Sequence, residues 1–157
     1  MEVIMEIVET YLKHRGVKRV ASDMISSPEK GATIFNQMFG DNSQECLGII
    51  CLDTKGRPTH YSTIYKGTTN HIFISPKDIL KVALLSNATS IILGHNHPST
   101  DLTPSPHDIE TTRNIKKACT TVDINLVDHL IINSNGEYYS IREHKPKEFH
   151  NFINNPI

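Results

Sequence analysis

The sequence predicts a single α/β domain in which a mixed β-sheet is flanked by helices. Its 157 residues match the size of one ordinary domain that buries a real core. Short apolar runs typical of strands alternate along the chain with segments whose apolar residues recur at helical spacing. Turn sequences of the hairpin type join some of the predicted strands, so we expect part of the sheet to be antiparallel.

The composition is typical of a soluble globular protein, with 38% hydrophobic and 21% charged residues. No apolar run reaches the roughly 18–20 residues that a membrane span needs, and the N-terminal segment lacks the basic region of a signal peptide. The three cysteines, an odd number at no metal-binding spacing, indicate a reducing compartment. A formal net charge of −1 gives no overall electrostatic footprint for nucleic acid. We therefore expect a cytoplasmic protein without a membrane partner.

The chain is predicted to begin with an arm, a helix and a strand pair. Residues 1–25 form the N-terminal arm, whose apolar spacing fits either a strand or a short helix. Ser27 is placed as the N-cap of a helix that continues with proline and ends at Gly40. A buried strand over 45–52 is then expected to turn back on itself through a glycine-containing hairpin into a partner strand over 59–66.

The second half continues the alternation of helices and strands. Ser75 and Asp78 have the spacing of a capping box at the start of a helix. The segments that follow are, in order, a buried central strand at 89–93, a polar loop at 95–104, a helix from Ser105, a strand at 124–132, and a hairpin strand at 138–141. Residues 142–157 form a polar C-terminal tail that we expect to be loosely packed.

The residues that carry chemistry follow the predicted central strand. Side chains two positions apart on extended backbone point to the same face, so His95 and His97 can converge on one ion. Asp108 lies three positions beyond the helix N-cap and supplies a carboxylate. Two imidazoles and one carboxylate leave a fourth tetrahedral position for water, which distinguishes a catalytic zinc site from a closed structural one. The pattern predicts one Zn²⁺ per chain.

Each part of this pattern also has a simpler explanation. Two histidines at a strand end are often just partly exposed side chains. Ser105 and Asp108 have the spacing of an ordinary capping box, in which the carboxylate returns to the N-cap amide. The joint occurrence of both halves at this spacing is much more specific than either half alone, and it favours the metal site.

The sequence His95-Asn96-His97-Pro98, followed after six residues by Ser105-x-x-Asp108, resembles the JAMM metalloprotease motif of the MPN domain family. The resemblance is closest to the bacterial RadC-like branch, described as DNA repair proteins, and covers about residues 20–141. The other stretches that resemble this branch are Leu52-Asp53-Thr54-Lys55, Lys66-Gly67-Thr68-Thr69-Asn70, Thr103-Pro104-Ser105 and Asp128-His129-Leu130-Ile131-Ile132. The resemblance implies an MPN domain with a cytidine-deaminase-like fold over 26–141.

The resemblance also implies roles that spacing does not reveal. JAMM enzymes place a glutamate on an early strand as the general base, and Glu45 occupies that position. A carboxylate that opens an apolar strand is unusual, although strand ends are often wet and acids there are common. The implied mechanism is hydrolysis of an amide in a peptide or protein conjugate, in which Glu45 activates the zinc-bound water and Ser105 donates to the oxyanion.

Three further residues carry weaker expectations. Asp128 either orients a ligand histidine from behind the site or serves as a buried structural acid. His107 projects about 100° away from Asp108 around the helix and is expected at the surface. Cys46 alternates to the strand face opposite Glu45 and is expected in the core.

Two other functions compete with a zinc-dependent peptidase. One is an accessory role in DNA repair or recombination without peptidase activity, with weak or indirect DNA association; the near-neutral charge and the absence of tryptophan weaken it. The other is a zinc nucleobase deaminase, which needs His-x-Glu and Cys-x-x-Cys motifs that the sequence lacks. The sequence predicts no oligomeric state.

Overall fold

The fold, seen in a computed structural model that describes residues 5–20, 23–67 and 74–150, is built around one five-stranded sheet. The strands are β1 (Glu45–Leu52), β2 (Pro58–Gly67), β3 (Ser90–Asn96), β4 (Asn125–Ile132) and β5 (Tyr138–Ser140). The helices are α1 (Pro28–Phe39), α2 (Pro76–Leu85), α3 (Pro106–Thr121) and the short α4 (Ile141–His144), which a 3-10 turn (Pro146–Phe149) follows. The described residues thus form a mixed α/β fold, as the alternating pattern predicts.

The sheet has the strand order β2-β1-β3-β4-β5. Strands β3 and β4 run parallel, whereas every other neighbouring pair is antiparallel. A parallel pair needs a crossover, and α3 provides it between β3 and β4. In this strand order β3 is the central strand of the sheet, as its unbroken apolar run predicts.

Both faces of the sheet are covered by helices, which explains why its central strands are apolar on both sides. One buried cluster joins β1 residues such as Ile49 to helices α2 and α3, and a second joins residues such as Ile50 to α1. Alternate residues of one strand thus belong to different layers. The start of β1 and the end of β3 lie side by side at one edge of the sheet, close to the start of α3.

The two chain ends differ from the predictions. Residues 5–20 of the N-terminal arm form neither helix nor strand, so the expected strand or short helix is wrong there, and residues 1–4 and 21–22 lie outside the described residues. For residues 142–150, the expectation of loose packing is also wrong. Helix α4 and the 3-10 turn order that segment, Phe149 packs on the core, and Glu148 forms an ion pair with Arg113. Residues 151–157 lie outside the described residues.

The predicted turns and caps give a mixed result. Gly56 and Gly136 have φ values of +74° and +80°, the left-handed region that hairpin turns require and glycine adopts freely. Ser27 and Ser75 both occupy the N-cap position, but neither side chain makes a capping hydrogen bond, so the capping box predicted at α2 is wrong. Among the described residues, no helix combines the length and apolar character that crossing a bilayer demands.

Candidate metal centre

The candidate centre forms where β3 leaves the sheet. The strand continues through Asn96, two residues past the glycine that ends the predicted apolar run, so His95 belongs to the strand and not to a loop. The next residue, His97, is still tied to the sheet because its amide donates to the carbonyl of Ile132 on β4 at 2.8 Å. Asp108 lies in the first turn of α3. Rigid elements therefore position all three predicted ligands.

The three side chains converge as a metal site requires. The Nε2 atoms of His95 and His97 are 3.0 Å apart, and they lie 3.4 and 3.7 Å from the two carboxylate oxygens of Asp108. One ligand atom from each residue falls within 4.8 Å of the others. Zinc–ligand bonds of about 2.0–2.1 Å at tetrahedral angles separate ligand atoms by about 3.4 Å, so the donor set fits one such ion.

The ring of His97 is oriented from outside the site. Its Nδ1 lies 2.7 Å from the carbonyl oxygen of Asp101, and a carbonyl can only accept a hydrogen bond. His97 Nδ1 therefore carries the proton of the neutral ring. Its Nε2, which faces the centre, presents a lone pair.

The ring of His95 is oriented by a longer chain of hydrogen bonds. His95 Nδ1 lies 2.8 Å from His129 Nε2, and His129 Nδ1 lies 2.7 Å from the hydroxyl of Thr112. That hydroxyl donates to the backbone carbonyl of Asp108 at 2.7 Å. Because a hydroxyl has one proton, Thr112 must accept from His129 Nδ1, and His129 Nε2 must then accept from His95 Nδ1. His95 Nε2 is left as a lone pair aimed at the centre.

These two assignments together create a demand for a cation. Two lone pairs face each other across 3.0 Å, beside a carboxylate, and neither neutral ring has a proton to offer there. A proton or a metal ion between them relieves the repulsion. Consistent with this, burial would lower the pKa of His97, but its contacts with Asp108 and Asp101 outweigh burial and raise that pKa. Orientation of ligand imidazoles by outer hydrogen bonds is a general feature of metal sites.

The buried histidine in this chain of hydrogen bonds, His129, stays neutral. His129 is buried, and desolvation is the main cause that lowers its pKa to about 3. A neutral ring is what the chain of hydrogen bonds needs, because only a neutral His129 has a nitrogen that accepts from His95.

Asp108 caps its helix and faces the histidines with the same carboxylate. Its Oδ2 accepts hydrogen bonds from the amide and the hydroxyl of Ser105 at 2.7 and 2.8 Å, and its own amide donates to that hydroxyl at 3.1 Å. Burial would raise the pKa of Asp108, but a proton shared with His95 and His97 and the bond from Ser105 hold that pKa well below its usual range. The two explanations of the motif are therefore not alternatives, because the capping box orients the candidate ligand.

The capping bonds bear on Ser105 as well. Its hydroxyl proton is donated to Asp108, so Ser105 acts here on the ligand. A role as donor to an oxyanion stays a prediction, since the hydroxyl would first have to leave Asp108.

Glu45 opens β1 beside the same centre. It is half-buried and lines one pocket with His95 and Asp108, and burial raises its pKa while the two ligand histidines lower it. The other walls of this pocket are mostly apolar and include Leu47, Tyr65, Ile74 and Thr111. A carboxylate with a raised pKa beside a cation site has the properties expected of a general base.

The sequence missed or misplaced several residues of the centre. The Asp128 carboxylate bonds no candidate ligand histidine; it accepts hydrogen bonds from the Ser140 hydroxyl and from the backbone amides of Arg142 and His129, as the structural explanation predicts. The orienting residue is its neighbour His129. His107, expected at the surface, is exposed but also lines the pocket with Glu45. Cys46 is buried, as predicted.

Comparison with known proteins agrees with this geometry. Residues 25–146 match the RadC-like JAB domain, which is most of the chain. The chain belongs to that family. This RadC-like domain is 39% identical over 140 residues to a UPF0758 protein of Streptococcus sanguinis (strain SK36), covering 89% of this chain and 61% of that protein.

Two further relatives give the same result. A UPF0758 protein of Clostridium beijerinckii is 36% identical over 141 residues, covering 89% of this chain and 61% of its own length, and one of Roseiflexus castenholzii is 38% identical over 143 residues, covering 91% and 60%. The chain thus spans about three fifths of the length of these curated relatives. The family match confirms the RadC-like JAB/MPN identification, and it extends a few residues past the boundary predicted at 141.

Proposed function

We propose that this domain is a zinc-dependent hydrolase of amide bonds, a peptidase or isopeptidase. The observation that carries the proposal is the convergence of two bare imidazole nitrogens and a carboxylate, with Glu45 in the same pocket. A closed structural zinc site would use four protein ligands. The three here leave a coordination position for solvent, which is what hydrolysis needs.

His95, His97 and Asp108 would hold the ion. A bound divalent ion supplies Lewis acidity, which lowers the pKa of a coordinated water to about 7 and polarises a carbonyl. Glu45 takes the proton of the attacking water and returns it to the leaving amine. Burial supports this role because it raises the pKa of the Glu45 carboxyl towards the working pH.

The pocket supports a peptide-like substrate. Its apolar walls beside Glu45 offer a place for an apolar side chain next to the scissile bond. The donor set would also accept iron or manganese, since imidazole and carboxylate ligands bind several divalent ions. Metal analysis of protein purified without added metal reports which ion is bound.

The first test is metal content. We expect about one zinc ion per chain in the wild type and a large loss in His97→Ala. His60→Ala is the matched control, because it removes a half-buried histidine on β2 that lies outside the candidate ligand set. A metal content that His97→Ala leaves unchanged would overturn the site.

The second test is hydrolysis. A peptide and isopeptide library is screened with the zinc-loaded wild type, and any substrate found is given to Glu45→Gln. General-base catalysis contributes about 10²- to 10⁴-fold, so kcat should fall by about that factor while zinc stays bound. Full activity in Glu45→Gln would show that Glu45 is not the base.

The alternative function is a DNA repair accessory protein without peptidase activity, which the family match also allows. The complete ligand set favours the hydrolase, because a scaffold needs no converging lone pairs. A salt-dependent shift of DNA mobility that Glu45→Gln and His97→Ala leave unchanged, together with no cleavage in the library, would favour the accessory role.

A further inference from the structure

Asn96 lies between the two ligand histidines in sequence and is not used by the mechanism above. Strand alternation places its side chain on the face opposite to theirs. It is 1% exposed, so its amide has lost almost all contact with water. A buried amide is costly unless its donors and acceptor are satisfied, which makes the partners of Asn96 informative.

All three partners of this amide lie just before or within the start of β1. Asn96 Oδ1 accepts from the backbone amide of Cys46 at 2.7 Å. Its Nδ2 donates to the carbonyls of Gln44 and Asn42, both at 3.1 Å. The carbonyl of residue 44 and the amide of residue 46 belong to the two peptide groups that flank Glu45. The Asn96 side chain therefore holds the backbone on both sides of Glu45.

The strand register shows why a side chain is needed at this point. The ladder between β1 and β3 has its last pair at Leu47 and His95. On its other side, β1 remains paired with β2 down to Glu45, which lies opposite Gly67. Beyond the last β1–β3 pair, the Asn96 amide takes the place of the missing backbone partner. Glu45 is thus bonded to a strand on one side and to the Asn96 side chain on the other.

The hydrogen-bonding requirements of the segment before Glu45 do not by themselves explain why a buried side chain binds it. Residues 41, 43 and 44 are exposed, so water could satisfy carbonyls in this segment. Fixing them with a buried side chain lowers the conformational freedom of the segment that carries Glu45. Misplacement of a reacting group by about 1 Å can cost about 100-fold in rate, so a fixed backbone at this position has a direct catalytic value.

We propose that Asn96 is the positioning residue of Glu45: by binding the peptide groups on both sides of it, Asn96 holds the carboxylate beside the ion that His95 and His97 bind. The proposal rests on the proposed function for its catalytic meaning. One strand end then serves two purposes, with ligands on one face and the support of the general base on the other.

The structural half of the proposal is tested without any substrate. In Asn96→Ala, amide hydrogen exchange at Cys46 should become at least about 10-fold faster, because its acceptor is gone. Asn96→Asp keeps that acceptor and loses both donors, so the Cys46 amide should stay protected while the 42–44 segment loosens. Zinc content should remain that of the wild type in both variants. Unchanged exchange at Cys46 in Asn96→Ala would overturn the proposal.

The catalytic half uses the peptide selected in the library screen. We expect kcat of Asn96→Ala to fall by about 10- to 100-fold with little change in KM, because the base is displaced and the substrate pocket is not. In the Glu45→Gln background the same change should cost almost nothing further, since its effect passes through Glu45. An equal further loss in the double variant would show that Asn96 acts independently of Glu45, and would overturn the proposal.

A stability control separates positioning from general damage. Ser140→Ala removes a buried hydroxyl that donates to Asp128 and accepts from the amide of Glu143, in a part of the sheet that does not line the site. It should lower the free energy of unfolding and leave kcat unchanged. The two proposals fail separately: no cleavage in the library screen, or full activity in the zinc-free wild type, sinks the zinc-dependent hydrolase, whereas the exchange result at Cys46 decides whether Asn96 holds that segment.

Discussion

Helices α2 and α3 begin with the same four-residue pattern, Ser-Pro-x-Asp, and the structure treats the two differently. Ser105 and Asp108 complete a capping box at α3. At α2, Ser75 is the N-cap but its side chain makes no capping bond, and the amide of Asp78 donates instead to the Ser75 backbone carbonyl. The same local pattern therefore gives a closed cap in one place and an open one in the other.

The difference lies in what faces each carboxylate. The Asp78 side chain is 46% exposed and forms an ion pair with Lys81 at 3.4 Å, an arrangement of little energetic value at a surface. The Asp108 side chain is 16% exposed and faces two imidazoles. A polar group that has lost water needs fixed partners, so the buried carboxylate keeps its Ser105 bonds. The pattern allows a cap, and tertiary contacts decide whether it closes.

The sharpest test of this comparison exchanges each aspartate for asparagine. Asp108→Asn keeps the size of the side chain and removes its charge, so zinc affinity should fall by more than the roughly 10- to 100-fold typical of losing an outer partner. Asp78→Asn is the matched control and should leave zinc affinity unchanged. Both are measured by competition with a chelator of known affinity. Equal behaviour of the two variants would mean that Asp108 is only a cap.

A second difference is the buried neutral histidine behind Asp108, for which the described residues around α2 offer no counterpart. The pKa of His129 is lowered from an unfolded value of about 6.5 to about 3, so the folded state binds fewer protons than the unfolded state between those values. Its contribution to stability is therefore full above pH 6.5 and lost progressively as the pH falls. In metal-free protein, we expect the advantage of wild type over His129→Gln to shrink by about 1–2 kcal/mol between pH 7 and pH 5.

Urea unfolding at several pH values measures this advantage, and comparison with the variant cancels the other titrating groups to first order. An advantage that stays constant over this range would mean that His129 is not held neutral, and the assignment of protons along its hydrogen bonds would fail with it.

Much of the fold follows from the sequence because it depends on local patterns. The apolar run before His95 predicts a central strand, and Gly56 marks a hairpin turn whose φ of +74° favours glycine. The order after residue 142 could not be predicted, because it depends on contacts such as Arg113 with Glu148, 35 residues apart. A polar sequence indicates that a segment lies at the surface, but it does not indicate that the segment is loosely packed.

The residues of the site also divide into those that the sequence predicts and those that it does not. His95, His97 and Asp108 share a spacing that the sequence displays, and the structure brings them together. His129 has no such spacing, because its contact with His95 across 34 residues exists only through the parallel pairing of β3 and β4. Glu45 is predicted only through the family resemblance for the same reason: its position beside the candidate ligands depends on an antiparallel ladder between distant strands.

A third variant changes α3 to the pattern of α2. The position four residues after the aspartate is Thr112 in α3 and Val82 in α2. Thr112→Val removes the hydroxyl that links His129 to the Asp108 carbonyl, and zinc affinity should fall by about 10-fold as the His95 ring loses its fixed tautomer. Thr112→Ser keeps the hydroxyl and should restore most of the affinity. If serine were no better than valine, packing and not the hydrogen bond would be responsible.

The smallest expected effect is on the free energy of unfolding, and it distinguishes the N-cap serines of the two helices. Loss of a working N-cap side chain costs about 1 kcal/mol, so Ser105→Ala should lower the free energy of unfolding of the metal-free protein by about that amount. Ser75→Ala removes a hydroxyl that caps nothing and should change it by less than about 0.5 kcal/mol. Urea unfolding of the two variants at neutral pH gives the comparison directly. Equal losses would mean that the Ser75 hydroxyl caps α2 in solution, and that exposure of Asp78 does not decide between a closed and an open cap.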